Sequence, residues 1–92
     1  MKIIWSNKAK VSYLEIIDFL LSQWSVDIAE EFESKTNQLL NTLLLHKMLC
    51  PKSKKENLRR CVIHHNTSLI YRISSTNIEL ITFIDNRTKH HY

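Results

Sequence analysis

Apolar and polar residues follow two different rhythms along this chain. Lys2 to Trp5 is a short β-branched and aromatic run that stops at Ser6-Asn7, and it predicts a first strand. From Lys8 to Trp24 the apolar residues fall at Ala9, Tyr13, Ile16, Ile17, Leu20, Leu21 and Trp24, the three-and-four spacing of one helix face. Ser6 or Asn7 supplies its cap, because either side chain can accept a bond from an orphan amide. Ser25 caps a second helix, with Asp27, Glu30 and Glu31 near its positive end. The stripe of that helix runs through Ile28/Ala29, Phe32, Thr36, Leu39/Leu40 and Leu43/Leu44. Pro51 disfavours helical geometry in the residue before it and closes the segment. Two helices with so short a connection predict an antiparallel hairpin.

Beyond the polar, mostly basic stretch 52–57 the rhythm shortens. Leu58–His65, Ser68–Ser74 and Ile78–Asp85 are rich in Ile, Val, Leu, Phe or Tyr, and each has the length of a strand. The connections Asn66-Thr67 and Ser75-Thr76-Asn77 predict an antiparallel meander, with the asparagines taking the left-handed backbone of the turns. Strict alternation places Leu69, Tyr71 and Ile73 on one face, with Ile70 and Arg72 on the other. It likewise groups Leu80, Thr82 and Ile84 against Ile81 and Phe83. Apolar residues on both faces predict that helices cover one side and that the helix pair folding round, or a partner protein, partly covers the other. The fold class is therefore α+β, a single domain over residues 1–92. Its order is β-α-α-β-β-β, with a helical hairpin packed on a small, mainly antiparallel sheet. Trp5 and Trp24 are expected in the core where hairpin meets sheet.

Composition narrows the function. The 92 residues include no glycine. That removes phosphate-cradling Gly-rich loops, dinucleotide-binding turns and EF-hand calcium loops, all of which need glycine. No cofactor is expected. Neither is a membrane role, since no apolar run reaches spanning length. Cys50 and Cys61 lack C-x-x-C spacing, and free buried thiols are expected. The segment Met1–Ser6 has no apolar stretch of signal-peptide length, and a reducing cytoplasm is the expected location.

The formal charge of +4 is unevenly spread. Residues 1–46 hold four Lys against six Asp/Glu, whereas residues 47–92 hold nine Lys/Arg against three Asp/Glu. Lys52, Lys54, Lys55, Arg59 and Arg60 form a dense basic stretch, opposed only by Glu56. Such a stretch suits phosphates or an acidic protein segment. No aromatic residue lies between Phe32 and Tyr71 to stack on bases, which favours the protein partner. Arg72, flanked by apolar residues, suits an interface anchor or an ion pair with Glu79. Arg87 follows the last strand and can grip a phosphate with two parallel bonds or pair with Asp85 or a helix carboxylate. His64, His65, His90, His91 and Tyr92 are candidate proton-transfer groups. A shared zinc site of His64, His65, His90 and Cys61 is not expected, because residues 64 and 65 of a strand point to opposite faces.

Several segments, taken in order, resemble one family. They are Ile3-Ile4-Trp5-Ser6-Asn7-Lys8-Ala9, Ile16-Ile17-Asp18-Phe19-Leu20 followed by Trp24, Asn57-Leu58-Arg59-Arg60-Cys61-Val62, Ser68-Leu69-Ile70-Tyr71-Arg72-Ile73 and Ile84-Asp85-Asn86-Arg87. Across essentially the whole chain this set is similar to the RelE/ParE superfamily, the toxic halves of type II toxin–antitoxin pairs. The resemblance implies one of two activities. RelE-like members cut messenger RNA on the ribosome without a metal, the 2′-hydroxyl attacking the adjacent phosphate. Here Arg87 with His90, His91 and Tyr92 would serve that chemistry. ParE-like members block DNA gyrase and cut no RNA. Ser68 stands where RelE-like ribonucleases carry an arginine, and a neutral hydroxyl cannot offset charge developing on phosphate. The chain thus resembles the ParE-like branch more closely, and catalysis by the chain itself is not expected. Both branches imply a cognate antitoxin with an acidic C-terminal segment, for which Lys52, Lys54, Lys55, Arg59, Arg60 and Arg72 are candidate contacts. A degenerate member that binds antitoxin without being toxic is the further alternative.

Overall fold

The elements follow the two rhythms closely. In the computed structural model, which describes residues 1–55, 57–64, 66–88 and 92, β1 (Lys2–Trp5) is followed by α1 (Asn7–Gln23) and α2 (Val26–Leu45). Then come β2 (Arg59–His64), β3 (Thr67–Ile73) and β4 (Asn77–Asp85). The Ser6 hydroxyl accepts from the Ala9 amide and the Ser25 hydroxyl from the Ile28 amide, so each helix opens on a serine cap. The cap between the two helices is short, which turns the chain back on itself. α2 ends at Leu45, well ahead of Pro51.

The sheet runs β1-β4-β3-β2, with β1 parallel to β4 and the other neighbours antiparallel. One face packs against the hairpin. Its core joins Ala9, Phe32, Leu40 and Leu43 to Cys61, Leu69, Tyr71, Ile78, Leu80 and Phe83. Thr36 can sit fully buried in the α2 stripe because its hydroxyl donates to the Phe32 carbonyl at 2.9 Å. A smaller cluster of Leu58, Ile70 and Ile84, with Ile81 and Tyr92 packed against it, occupies the opposite face. Part of the second cover thus comes from Leu58 and Tyr92, and not from the helical hairpin folding round as expected.

Strict alternation fails in β4. Ile70 pairs with Thr82, but Tyr71 pairs with Leu80, leaving Ile81 as an extra residue in a bulge. The bulge switches the parity of the strand. Leu80 and Phe83 both join the helix-side core, while Ile84 belongs to the second cluster, so the expected grouping of Leu80 with Ile84 is corrected. α1 satisfies the disturbed backbone: the Ser6 hydroxyl donates to the Ile81 carbonyl at 2.8 Å, and the Ser12 hydroxyl accepts the Phe83 amide at 3.0 Å.

Three further expectations change. Asn77 is not a left-handed turn residue; it lies in β4 opposite Lys2, and Ser74 closes the turn by accepting the Asn77 amide on its hydroxyl. Among the described residues the positive φ instead falls at Asn57, at 64°, in the loop before β2. Trp24 is 69% exposed rather than core, whereas Trp5 stacks on Phe83 and meets Tyr13 edge-on.

Cys50 and Cys61 are not free thiols but a disulfide. Lys52 bridges Arg59 in antiparallel fashion, the Ser53 amide donates to the Leu58 carbonyl, and the Arg60 amide donates to the Pro51 carbonyl. This ladder sets residue 50 opposite residue 61, with their Cα atoms 5.2 Å apart, the separation of directly opposed strand residues. The stretch expected as a loop is thus one arm of a hairpin along the outer edge of β2. Pro51 stands at the start of this arm, where its carbonyl accepts from Arg60 and its lack of an amide costs one ladder bond.

Candidate functional site

Two surfaces gather the residues with functional potential. The first is a groove of about 660 Å³ between the helical hairpin and the far end of the sheet. Phe32 and Phe83 form its base, while Phe19, Leu20, Trp24 and Ile28 supply the apolar wall. Phe19 is 48% exposed. Glu15, Glu31, His64, Asp85 and Arg87 stand at the rim. Glu31 is held by Lys35 one helical turn away at 3.1 Å. Exposed aromatic surface edged with charge is the usual make-up of a protein-binding site. The sequence signal for it was Phe19, an aromatic residue of α1 that falls off the core stripe and is half-exposed at the groove.

Arg87 is at that rim, in the ion pair that was one of its two expected states. Its Nη2 lies 2.8 Å from Asp85 Oδ2, its Nε 3.1 Å from Oδ1, and its backbone amide also donates to Oδ1. The Asp85 hydrogen bond, then its charge, holds the guanidinium pKa above its ordinary value. Arg72 likewise takes the ion-pair state: Nη2 donates to both Glu79 oxygens at 2.9 Å.

The second surface is the sheet face away from the helices. Here Arg60 reaches across from β2, and Asn86 Oδ1 accepts from both Arg60 Nη2 (2.7 Å) and the Ser68 hydroxyl (2.6 Å). Arg60 Nε is 3.4 Å from the same hydroxyl. Ser68 is fully buried beneath this network. The position that lacks an arginine in sequence therefore has a guanidinium beside it, donated by the neighbouring strand and committed to Asn86. Arg59 is committed as well, donating to the Cys50 carbonyl at 2.7 Å. Lys52, Lys54 and Lys55 remain exposed on the hairpin.

Tyr92 joins this surface. Its hydroxyl accepts from Lys8 Nζ at 3.3 Å, and Lys55 Nζ stands 5.0 Å from the ring centroid. An aromatic ring thus does sit within the basic surface, brought there from the chain's far end. His65, His90 and His91 lie outside the described residues. His64 lines the groove. Among the described residues, no three His, Cys, Asp or Glu side chains come together as a metal site, and no helix is long and apolar enough to cross a membrane.

Comparison with known proteins bears on both surfaces. The family model described as "ParE toxin of type II toxin-antitoxin system, parDE" matches residues 3–90. The fold is similar to that in a structure of the chromosomal ParDE TA system from P. aeruginosa, at TM-score 0.76 and 15% identity, covering 92% of this chain and 95% of that one. It is similar to a copper-bound mutant toxin from Helicobacter pylori, at TM-score 0.70 and 18% identity over 95% and 96% of the two chains. It is also similar to YoeB from Staphylococcus aureus, solved as a dimer, at TM-score 0.63 and 19% identity over 100% and 98%. A comparison with curated proteins finds no significant match.

Proposed function

Because the chain belongs to the ParE toxin family of type II toxin–antitoxin systems, we propose that it inhibits growth by binding a cellular target, DNA gyrase, and that a cognate antitoxin silences it. The observation that carries the non-nuclease side of this reading is the state of its arginines. Arg87 is closed on Asp85, and Arg60 is closed on Asn86 above a buried Ser68. A phosphate would have to displace a carboxylate from the first and an amide oxygen from the second before either could stabilise a pentacoordinate transition state.

The two surfaces support a division of labour for the antitoxin. The groove takes apolar side chains of a docking segment at Phe19, Trp24 and Ile28. The exposed lysines of the hairpin take its acidic residues, which steer association more than they strengthen it. The proposed location is the cytoplasm, where target and antitoxin are found together.

A ribosome-dependent messenger RNA endonuclease is the second reading. Tyr92 favours it, flanked by Lys8 and Lys55 on the sheet face that also carries Arg60. Expression of the chain alone, and with the product of the adjacent reading frame, tests the main proposal. It predicts growth arrest in the first case and normal growth in the second. Normal growth in both would leave a chain that binds antitoxin without toxicity.

A further inference from the structure

We propose that Cys50–Cys61 is a thiol–disulfide exchange site that switches the basic hairpin between a pinned and a released state. The sheet ladders are built from residues outside 46–58, and the helix-side core takes only Cys50 from that segment. By contrast, the hairpin arm is held by its ladder bonds to β2, the Arg59 bond to the Cys50 carbonyl, the Tyr71 hydroxyl bond to the Lys47 carbonyl at its root, and the two buried side chains Cys50 and Leu58. The covalent bond joins its first residue to β2, while its tip carries Lys54 and Lys55. Opening the bond therefore loosens a local element and leaves the domain standing.

The chemistry favours attack at Cys50. It is the more accessible of the two, at 8% exposed against 2% for Cys61. A protein or small-molecule dithiol supplies the reductant. Its thiolate forms a bond to Cys50 Sγ, the Cys50–Cys61 bond breaks, and Cys61 leaves as a thiolate. The reductant's second thiol then displaces Cys50. Two electrons and two protons pass from the dithiol, which ends as a disulfide, leaving two cysteine thiols on the protein. A pair of this kind in a reducing compartment is transient and redox-sensing rather than permanent.

Release has a consequence on the second sheet face. Leu58 covers Ile70 and Ile84 there, and Lys55 rests on the Tyr92 ring. In the pinned state the hairpin holds lysines and ring together, and in the released state that grouping dissolves.

The test uses the purified full chain, oxidised and then treated with dithiothreitol. Reduction should speed trypsin cleavage after Lys52, Lys54 and Lys55 by roughly tenfold or more, as expected when a closed loop regains its freedom. Hydrogen exchange at Leu69–Tyr71 should stay protected. The Cys50→Ala/Cys61→Ala variant should be cleaved rapidly with or without reductant. If that variant does not fold, reduced protein capped with iodoacetamide takes its place. Cleavage unaffected by reduction would overturn the proposal, as would loss of protection across the whole sheet, which would mark a structural staple. Two free thiols after incubation with oxidised glutathione would overturn it too.

Discussion

The Ser6 hydroxyl donates to the Ile81 carbonyl at 2.8 Å while it accepts the Ala9 amide at 3.0 Å. One side chain thereby caps α1 and satisfies the bulge that re-aims β4. Replacing Ser6 with Ala removes both bonds at once. The loss should be about 1–2 kcal/mol, the range of a lost cap and a carbonyl left without its donor. For a domain of this size that lowers the melting temperature by roughly 4–8 °C per kcal/mol, readable by calorimetry.

That bond also marks where the sequence stopped being legible. Helix and strand positions followed from periodicity, because burial on one face is what imposes it. A bulge inserts a residue without altering composition, so Ile81 left no trace and the faces of Leu80 and Phe83 were misassigned. Cys50 and Cys61 are eleven residues apart, a spacing with no fixed meaning until Lys52 is seen to pair with Arg59. Trp24 read as core because it falls on the stripe, yet it follows the last turn of α1, beyond the reach of the sheet. The basic residues and Ser68 were found from sequence. Their partners were not, since Asn86 and Tyr92 arrive from far along the chain.

Tyr71 links pH to stability. Its hydroxyl donates to the Lys47 carbonyl at 2.8 Å, and burial raises its pKa above the ordinary 10.0, with a Cys50 backbone bond and Arg59 opposing the rise. Tyr13 is raised as well, by burial and then by Glu33. The folded state therefore favours the neutral phenols. This contribution is fully present below pH 10 and is lost as pH climbs through the raised values. Urea midpoints should fall above pH 10, and less steeply in Tyr71→Phe, which should also be less stable at pH 7 by about 1 kcal/mol.

The groove can be probed without disturbing the core. Trp24 is 69% exposed, so Trp24→Glu should leave the melting temperature unchanged. Binding of the antitoxin should weaken by a factor of at least about 30, as expected for a buried aromatic anchor worth 2 kcal/mol or more. Isothermal titration calorimetry reads the difference. Equal affinity would place the docking site elsewhere.

Arg87→Ala tests the reading of its ion pair as a surface contact. The pair is exposed on both sides, and such pairs add little to stability. Thermal melts of the variant and the parent chain should superimpose, and the variant should arrest growth as well as the parent does.

The central claim is that the chain blocks a target rather than cuts RNA. The most direct measurement follows induction of the chain without its antitoxin, mapping messenger RNA 5′ ends and plasmid supercoiling in the same cells. The account predicts intact transcripts together with disturbed supercoiling or gyrase-trapped DNA breaks. Codon-phased cleavage of messenger RNA, abolished in Arg87→Ala, with plasmid topology unchanged, would contradict it.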